Sequence, residues 1–218
     1  MRGRIAVAVL GAVAVAGLAA FAPSVASAQD RSNTNKLFVG LSLGGASIEL
    51  EGVDDDGFET EREQGFGASL RLGYGFTSLF ALYLEGSAAE IDVEGETFAL
   101  AHGDIGARFH FGGPTRAFIP FLDVGFTGRA IAVDNLVVDD NQGGFTTVDA
   151  EISGSGPSFG GGFLWFFNPK WALDVGLKVT TGEFDTVKFD NISISGLEID
   201  ATSARLKVGV TWFPMSAR

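Results

Sequence analysis

Eight stretches of this chain alternate apolar with small or polar residues at every second position. That period commits a segment to an extended strand with one greasy face and excludes an amphipathic helix. In Phe66–Phe76 every even-numbered residue is apolar or aromatic, and every odd-numbered one is Gly, Ser or Arg. Leu37–Leu43 repeats the pattern with Leu37, Val39, Leu41 and Leu43 on the greasy side. It recurs in Phe80–Ala88, Ala101–Phe111, Phe118–Ala132, Phe159–Phe167, Trp171–Val179 and Ala204–Phe213. The expected fold class is therefore all-β, with eight antiparallel strands.

The connections alternate in length. Thr77–Leu79, Gly112–Arg116 and Asn168–Lys170 are short, whereas Glu51–Glu63, Glu90–Glu96, Asp134–Glu151 and Glu183–Asp200 are long and polar. Short turns on one rim and long loops on the other fit an up-and-down transmembrane barrel. Charge follows the same division. The four long connections hold 21 of the 27 acidic residues, and the strand acids Glu85, Asp104, Asp123 and Asp174 all fall on the face opposite the greasy one. A lipid-facing belt requires this, because a charge at the midplane of a barrel surface costs roughly 2–4 kcal/mol. Aromatics flank the short turns, including Tyr74, Phe76, Phe80, Phe109, Phe111, Phe118, Trp165, Trp171 and Trp212, and are expected to form an interfacial girdle there.

The ends carry different information. Arg2 and Arg4 precede an uncharged apolar stretch, Ile5–Ala22, and Ala26-Ser27-Ala28 supplies a small-x-small cleavage site. Residues 1–28 therefore read as a cleaved secretory signal and 29–218 as one barrel domain, with strands from about 36 to 213 and a short tail at 214–218. The whole chain has formal net charge −12, and the signal removes only basic residues, so a nucleic-acid partner is not expected. With no cysteine, disulfides and thiolate metal sites are excluded.

The alternating Leu70-Arg71-Leu72-Gly73-Tyr74-Gly75-Phe76, the turn and strand Asn168-Pro169-Lys170-Trp171-Ala172-Leu173, and the closing Lys207-Val208-Gly209-Val210-Thr211-Trp212-Phe213 carry a resemblance. The segment from about Lys36 to Phe213 resembles the small eight-stranded bacterial outer-membrane barrels of the OmpA-like, OmpX-like and opacity-protein type. The resemblance implies residence in the cell outer membrane of a Gram-negative-type bacterium, with the amino terminus periplasmic and the long loops outside. It implies outer-membrane lipid and lipopolysaccharide as surroundings. It also makes Val208, Val210, Trp212 and Phe213 a carboxy-terminal signal for the barrel-assembly machinery, here followed by five further residues.

Eight strands enclose a space that side chains can fill. The inward faces offer Arg71, Arg108, Arg129, Lys178, Arg205 and Lys207 against Glu85, Asp104, Asp123 and Asp174, expected to interlock as one interior charge network. The expected role is structural or surface-interactive, with the longest loops as contact surfaces; the alternative is a narrow pore for small solutes or ions. A lipid A-modifying enzyme is a weaker reading. His102 and Asp104 share a face, but no serine singles itself out beside them, and neither catalytic residues, metal ligands nor cofactors are assigned. Asp54-Asp55-Asp56-Gly57 lacks the EF-hand spacing and reads as a solvated acidic loop. Gly160-Gly161-Gly162, with no helix after it, reads as room for aromatics on adjacent strands.

Overall fold

The computed structural model describes residues 34–51, 62–93, 96–112, 116–139, 145–189 and 192–215. The expected signal at 1–28 and the acidic run at 54–57 lie outside the described residues. Eight strands follow in order: β1 (Lys36–Glu51), β2 (Arg62–Gly75), β3 (Phe80–Val93), β4 (Glu96–His110), β5 (Phe118–Asp139), β6 (Phe145–Asn168), β7 (Trp171–Phe189) and β8 (Ile192–Trp212). Each pairs antiparallel with its sequence neighbour. The sheet closes where β8 returns to β1, from Val39↔Trp212 to Glu51↔Asp200.

The three short turns sit at one end. Thr77 Oγ1 accepts from the backbone N–H groups of Leu79 (3.2 Å) and Phe80 (3.1 Å), and Asn168 Oδ1 accepts from the Lys170 N–H at 2.9 Å. These polar side chains mimic the backbone and hold the reversal tight. Around that end run adjoining rings: Tyr74 on Phe76, Phe76 on Phe80, Phe80 on Phe109, Phe118 on Phe163, and Trp171 stacked on Trp212 at 5.9 Å.

The greasy faces point outward. Leu41 is 64% exposed and Ile105 63%, and Leu70, Leu84, Phe126, Phe159 and Leu206 are likewise exposed. So continuous an apolar wall is untenable in water and suits hydrocarbon.

At the opposite end the strands outrun a bilayer. About 9–11 tilted residues suffice to cross one, yet β5 has 22 and β6 has 24. Here the structure corrects the sequence reading. The stretches 134–151 and 183–200 are not irregular loops: β5 and β6 stay paired out to Asp139↔Phe145, and β7 and β8 out to Phe189↔Ile192. The residues there, such as Thr146-Thr147-Val148 and Ile192-Ser193-Ile194, are β-formers set among acidic and Gly residues. Register shifts between Val133 and Leu136, between Ser153 and Gly154, and between Phe184 and Thr186 mark the base of this extension. Such bulges bend and twist a ribbon.

The folded chain is expected to migrate differently in unboiled and boiled samples on a detergent gel. Ile105→Arg, which puts a cation on the outer wall, is expected to lower folding stability by roughly 2–4 kcal/mol and deplete the folded band.

Candidate functional site

Inward side chains stack in three layers between the short turns and the long hairpins. Nearest the short turns lies an apolar layer of Phe38, Tyr83, Ile119, Phe121, Leu164, Phe166 and Phe213, all buried. Large rings fit because inward glycines face them from neighbouring strands. Gly73, opposite Phe38, has no room for a Cβ against that ring, and at Gly162, opposite Phe121, a Cβ would come within 2.9 Å of Phe121 Cζ. The expected spacer role of the glycine run at 160–162 is met at Gly162.

The middle layer holds the charges. Arg108 grips Asp123 from the adjacent strand with two parallel bonds, Nε to Oδ1 at 2.8 Å and Nη2 to Oδ2 at 3.0 Å. Its Nη1 reaches across to Asp174 Oδ2 at 2.9 Å, which also accepts from Arg71 Nη1 (3.3 Å) and Thr211 Oγ1 (3.2 Å). Arg71 donates Nε to Glu85 Oε2 at 2.6 Å, and Lys207 Nζ meets the same oxygen at 2.6 Å. Lys178 bridges Glu85 (3.7 Å) to Asp104 (3.2 Å). Asp104 is clasped by Arg205, Nη1 to Oδ2 at 2.7 Å and Nη2 to Oδ1 at 2.8 Å, and accepts from Thr127 Oγ1 at 2.5 Å. Nine of the ten expected charges thus form one connected network across six strands. Aromatic faces brace its cations: the Arg108 guanidinium lies 3.4 Å from the Phe121 ring centre and Arg71 4.6 Å from that of Tyr83.

The tenth does not join. Arg129, 2% exposed, touches none of the four acids; its Nη1 donates to the Ala201 carbonyl at 3.0 Å and its guanidinium rests 5.0 Å from the Phe184 ring centre. Among the described residues its Nε and Nη2 find no partner. The alternation that places Arg129 inside could not show that its guanidinium meets the Ala201 carbonyl rather than a carboxylate.

Above the charges lies a second apolar layer: Ala46, Ile48, Ala89, Ile91, Leu100, Phe184 and Ala201, with Ile131, Ile152 and Ile199 against them. Both apolar layers were missed in the sequence. Their residues sit off the greasy face, where only small or polar residues were sought, and counting inward positions toward strand ends would have found them.

His102 and His110 are both buried, as expected. The structure pairs His102 with a serine the sequence did not single out, Nε2 to Ser203 Oγ at 3.3 Å. Ser203 is 0% exposed. A hydroxyl so placed contacts the barrel's own interior and is closed to a lipid substrate. In the closing strand, Val208 and Trp212 point outward and Val210 is half-buried on the same face, but Phe213 turns inward against Phe38 (5.6 Å) and Phe166 (5.2 Å).

A closed antiparallel sheet with an apolar outer wall and a charged interior defines a membrane-spanning β-barrel. The family model for the outer membrane protein beta-barrel domain matches residues 10–210, and the chain belongs to that family. The fold is similar to that of Neisserial surface protein A (TM-score 0.55, 17% identity, 80% of this chain and 96% of that one). It is also similar to OprG from Pseudomonas aeruginosa (TM-score 0.53, 15% identity, 84% and 98%) and to AlkL (0.54, 14%, 86% and 94%). No curated protein matches the chain at a significant level.

Breaking a buried pair strands the partner's charge and typically costs about 3–5 kcal/mol. Asp104→Asn, which strands Arg205 and leaves Lys178 only Glu85, is expected to lower unfolding stability by that order, read by urea titration of the tryptophan emission in lipid vesicles. Lys188→Ala removes an exposed pair with Glu151 at 3.3 Å and is expected to change little.

Proposed function

We propose that this protein is a surface-interaction barrel: a sealed membrane anchor that carries a protruding sheet as its contact element. The observation that carries this reading is the unequal height of the wall. β4 pairs with β5 only as far as Ala99↔Ala132, and β1 with β8 only as far as Glu51↔Asp200, whereas β5 to β8 continue beyond both levels. Among the described residues the extension is therefore a four-stranded sheet with two edges that no strand pairs, on β5 beyond residue 132 and on β8 before residue 200. Free edges offer unpaired backbone groups to an incoming strand. Exposed Glu183, Asp185 and Asp200 at its base bias partners toward basic surfaces, and would need cations between them and anionic lipopolysaccharide.

Passage through the interior, the rival reading, is opposed by the layering. A solute would have to cross two apolar layers and the charge network between them. Export by the amino-terminal signal and recognition of β8 by the assembly machinery complete the proposal, with Val208, Val210 and Trp212 as the outward face of the signal and Phe213 as an interior plug.

Two measurements test it. Purified barrel in planar bilayers is expected to give no discrete conductance, and stepwise currents that change in Arg71→Gln would favour the pore. Deleting residues 136–148 is expected to leave heat-modifiable folding intact and to reduce binding of whole cells to basic host-surface proteins or matrix at least tenfold. Unchanged binding would remove the sheet from the function.

A further inference from the structure

Exposed acids occupy one end of the barrel and a set of exposed cations the other. Among the described residues the exposed acids Glu90, Glu183, Asp185 and Asp200 all stand at the long-hairpin end. The short-turn end carries Lys36, Arg116 and Lys170, all exposed, and no exposed acid accompanies them among the described residues. Asp123 and Asp174, the acids on the short-turn halves of their strands, are buried inside and held by Arg108. Three cations therefore mark one rim of a membrane-spanning wall.

Each of them stands one or two residues outside a pair of girdle rings. Lys170 precedes Trp171, which stacks on Trp212 at 5.9 Å. Arg116 comes shortly before Phe118, whose ring centre is 5.0 Å from that of Phe163. Lys36 pairs with Gly75, between Tyr74 and Phe76, whose ring centres are 5.1 Å apart. Amphipathic rings settle at the level of the lipid headgroups. One or two residues of extended chain add about 3–7 Å, which brings each cation within reach of the phosphates.

The backbone at Lys36 is a separate mark. Its φ is 70°, in the left-handed region that glycine enters without strain and lysine does not. The conformation is held in place: the buried Thr34 donates its hydroxyl to the Ser78 carbonyl at 2.8 Å, and a Cβ at Gly75 would collide with the Thr34 carbonyl. Glycine at position 36 would serve that geometry better but would bring no charge to the rim.

We infer that the short-turn rim binds anionic phospholipid, with Lys36, Arg116 and Lys170 each taking the phosphate of a headgroup and the ring pairs seating the tops of its chains. Charge complementarity selects an anionic occupant, and the apolar wall that starts at the same rings makes the surface continuous with the one that lipid covers. This anchoring is independent of whatever the protruding sheet contacts.

All three tryptophans, Trp165, Trp171 and Trp212, lie in this girdle, so their emission reads this rim. The test places the barrel in vesicles of phosphatidylglycerol and phosphatidylcholine, with one lipid or the other carrying bromine high on its acyl chains to quench that emission. Brominated phosphatidylglycerol is expected to quench beyond its bulk fraction, with a preference of about fivefold, the factor one cation gives at an anionic surface. About 1 M salt, which screens charges beyond about 3 Å, is expected to remove the preference. The triple variant Lys36→Gly, Arg116→Gln, Lys170→Gln is expected to keep its heat-modifiable folding and to be quenched equally by both lipids. The salt measurement stands on the parent protein even if the variant does not fold. A preference that survives salt, or one that survives in the folded variant, would overturn the inference. Equal quenching of the parent by the two lipids would overturn it as well and leave the cations to a soluble acidic partner.

Discussion

Hydrocarbon offers no partner to a peptide group, and everything else in this molecule follows from that. A sheet can enter lipid only if its last strand bonds to its first, so the β1–β8 pairing is a condition of existence. Closure at eight strands fixes a narrow lumen, and the lumen fixes what each inward face may carry. The alternation along every strand is the sequence form of these two requirements, lipid on one side and a packed interior on the other.

The charged middle layer has a purpose that stability alone does not explain, since apolar residues of similar volume could fill the same space at comparable or lower free energy. Its value lies in direction. A one-residue slip of β4 would carry Asp104 and Arg108 to the lipid face together, and the same slip in β2 or β8 would expose Arg71, or Arg205 and Lys207. Each strand that bears an inward charge can therefore be threaded only one way. The apolar layers at either end then supply what the charges do not, the burial of Phe38, Phe121, Phe166, Phe184 and Phe213 against glycines and small residues.

Much of this was legible in the residues. The strand count, the outward Leu, Val and Trp faces, the girdle at the short turns and nine members of the charge network all follow from parity along the chain. Parity failed where one of its premises lapsed. The acidic residues that flank them made Thr146-Thr147-Val148 and Ile192-Ser193-Ile194 look like loop, and their pairing proves them to be strand. Near the strand ends the interior turns apolar, so Leu164, Phe166 and Leu100 were invisible to a search for polar inward residues. Parity also cannot measure distance. It placed Arg129 inside but could not foresee that its guanidinium would meet the Ala201 carbonyl, nor that His102 would lie against Ser203, far along the chain.

The uneven rim gives the protein a heading. A barrel of equal height looks the same from every side of the membrane plane, but among the described residues β5 to β8 rise as a screen while β1 to β4 end lower. Anything approaching along the membrane from the low side meets the mouth of the barrel with the screen behind it, and anything from the other side meets the back of the screen. Rotation about the membrane normal, idle in a symmetric barrel, thereby decides which neighbours can come close.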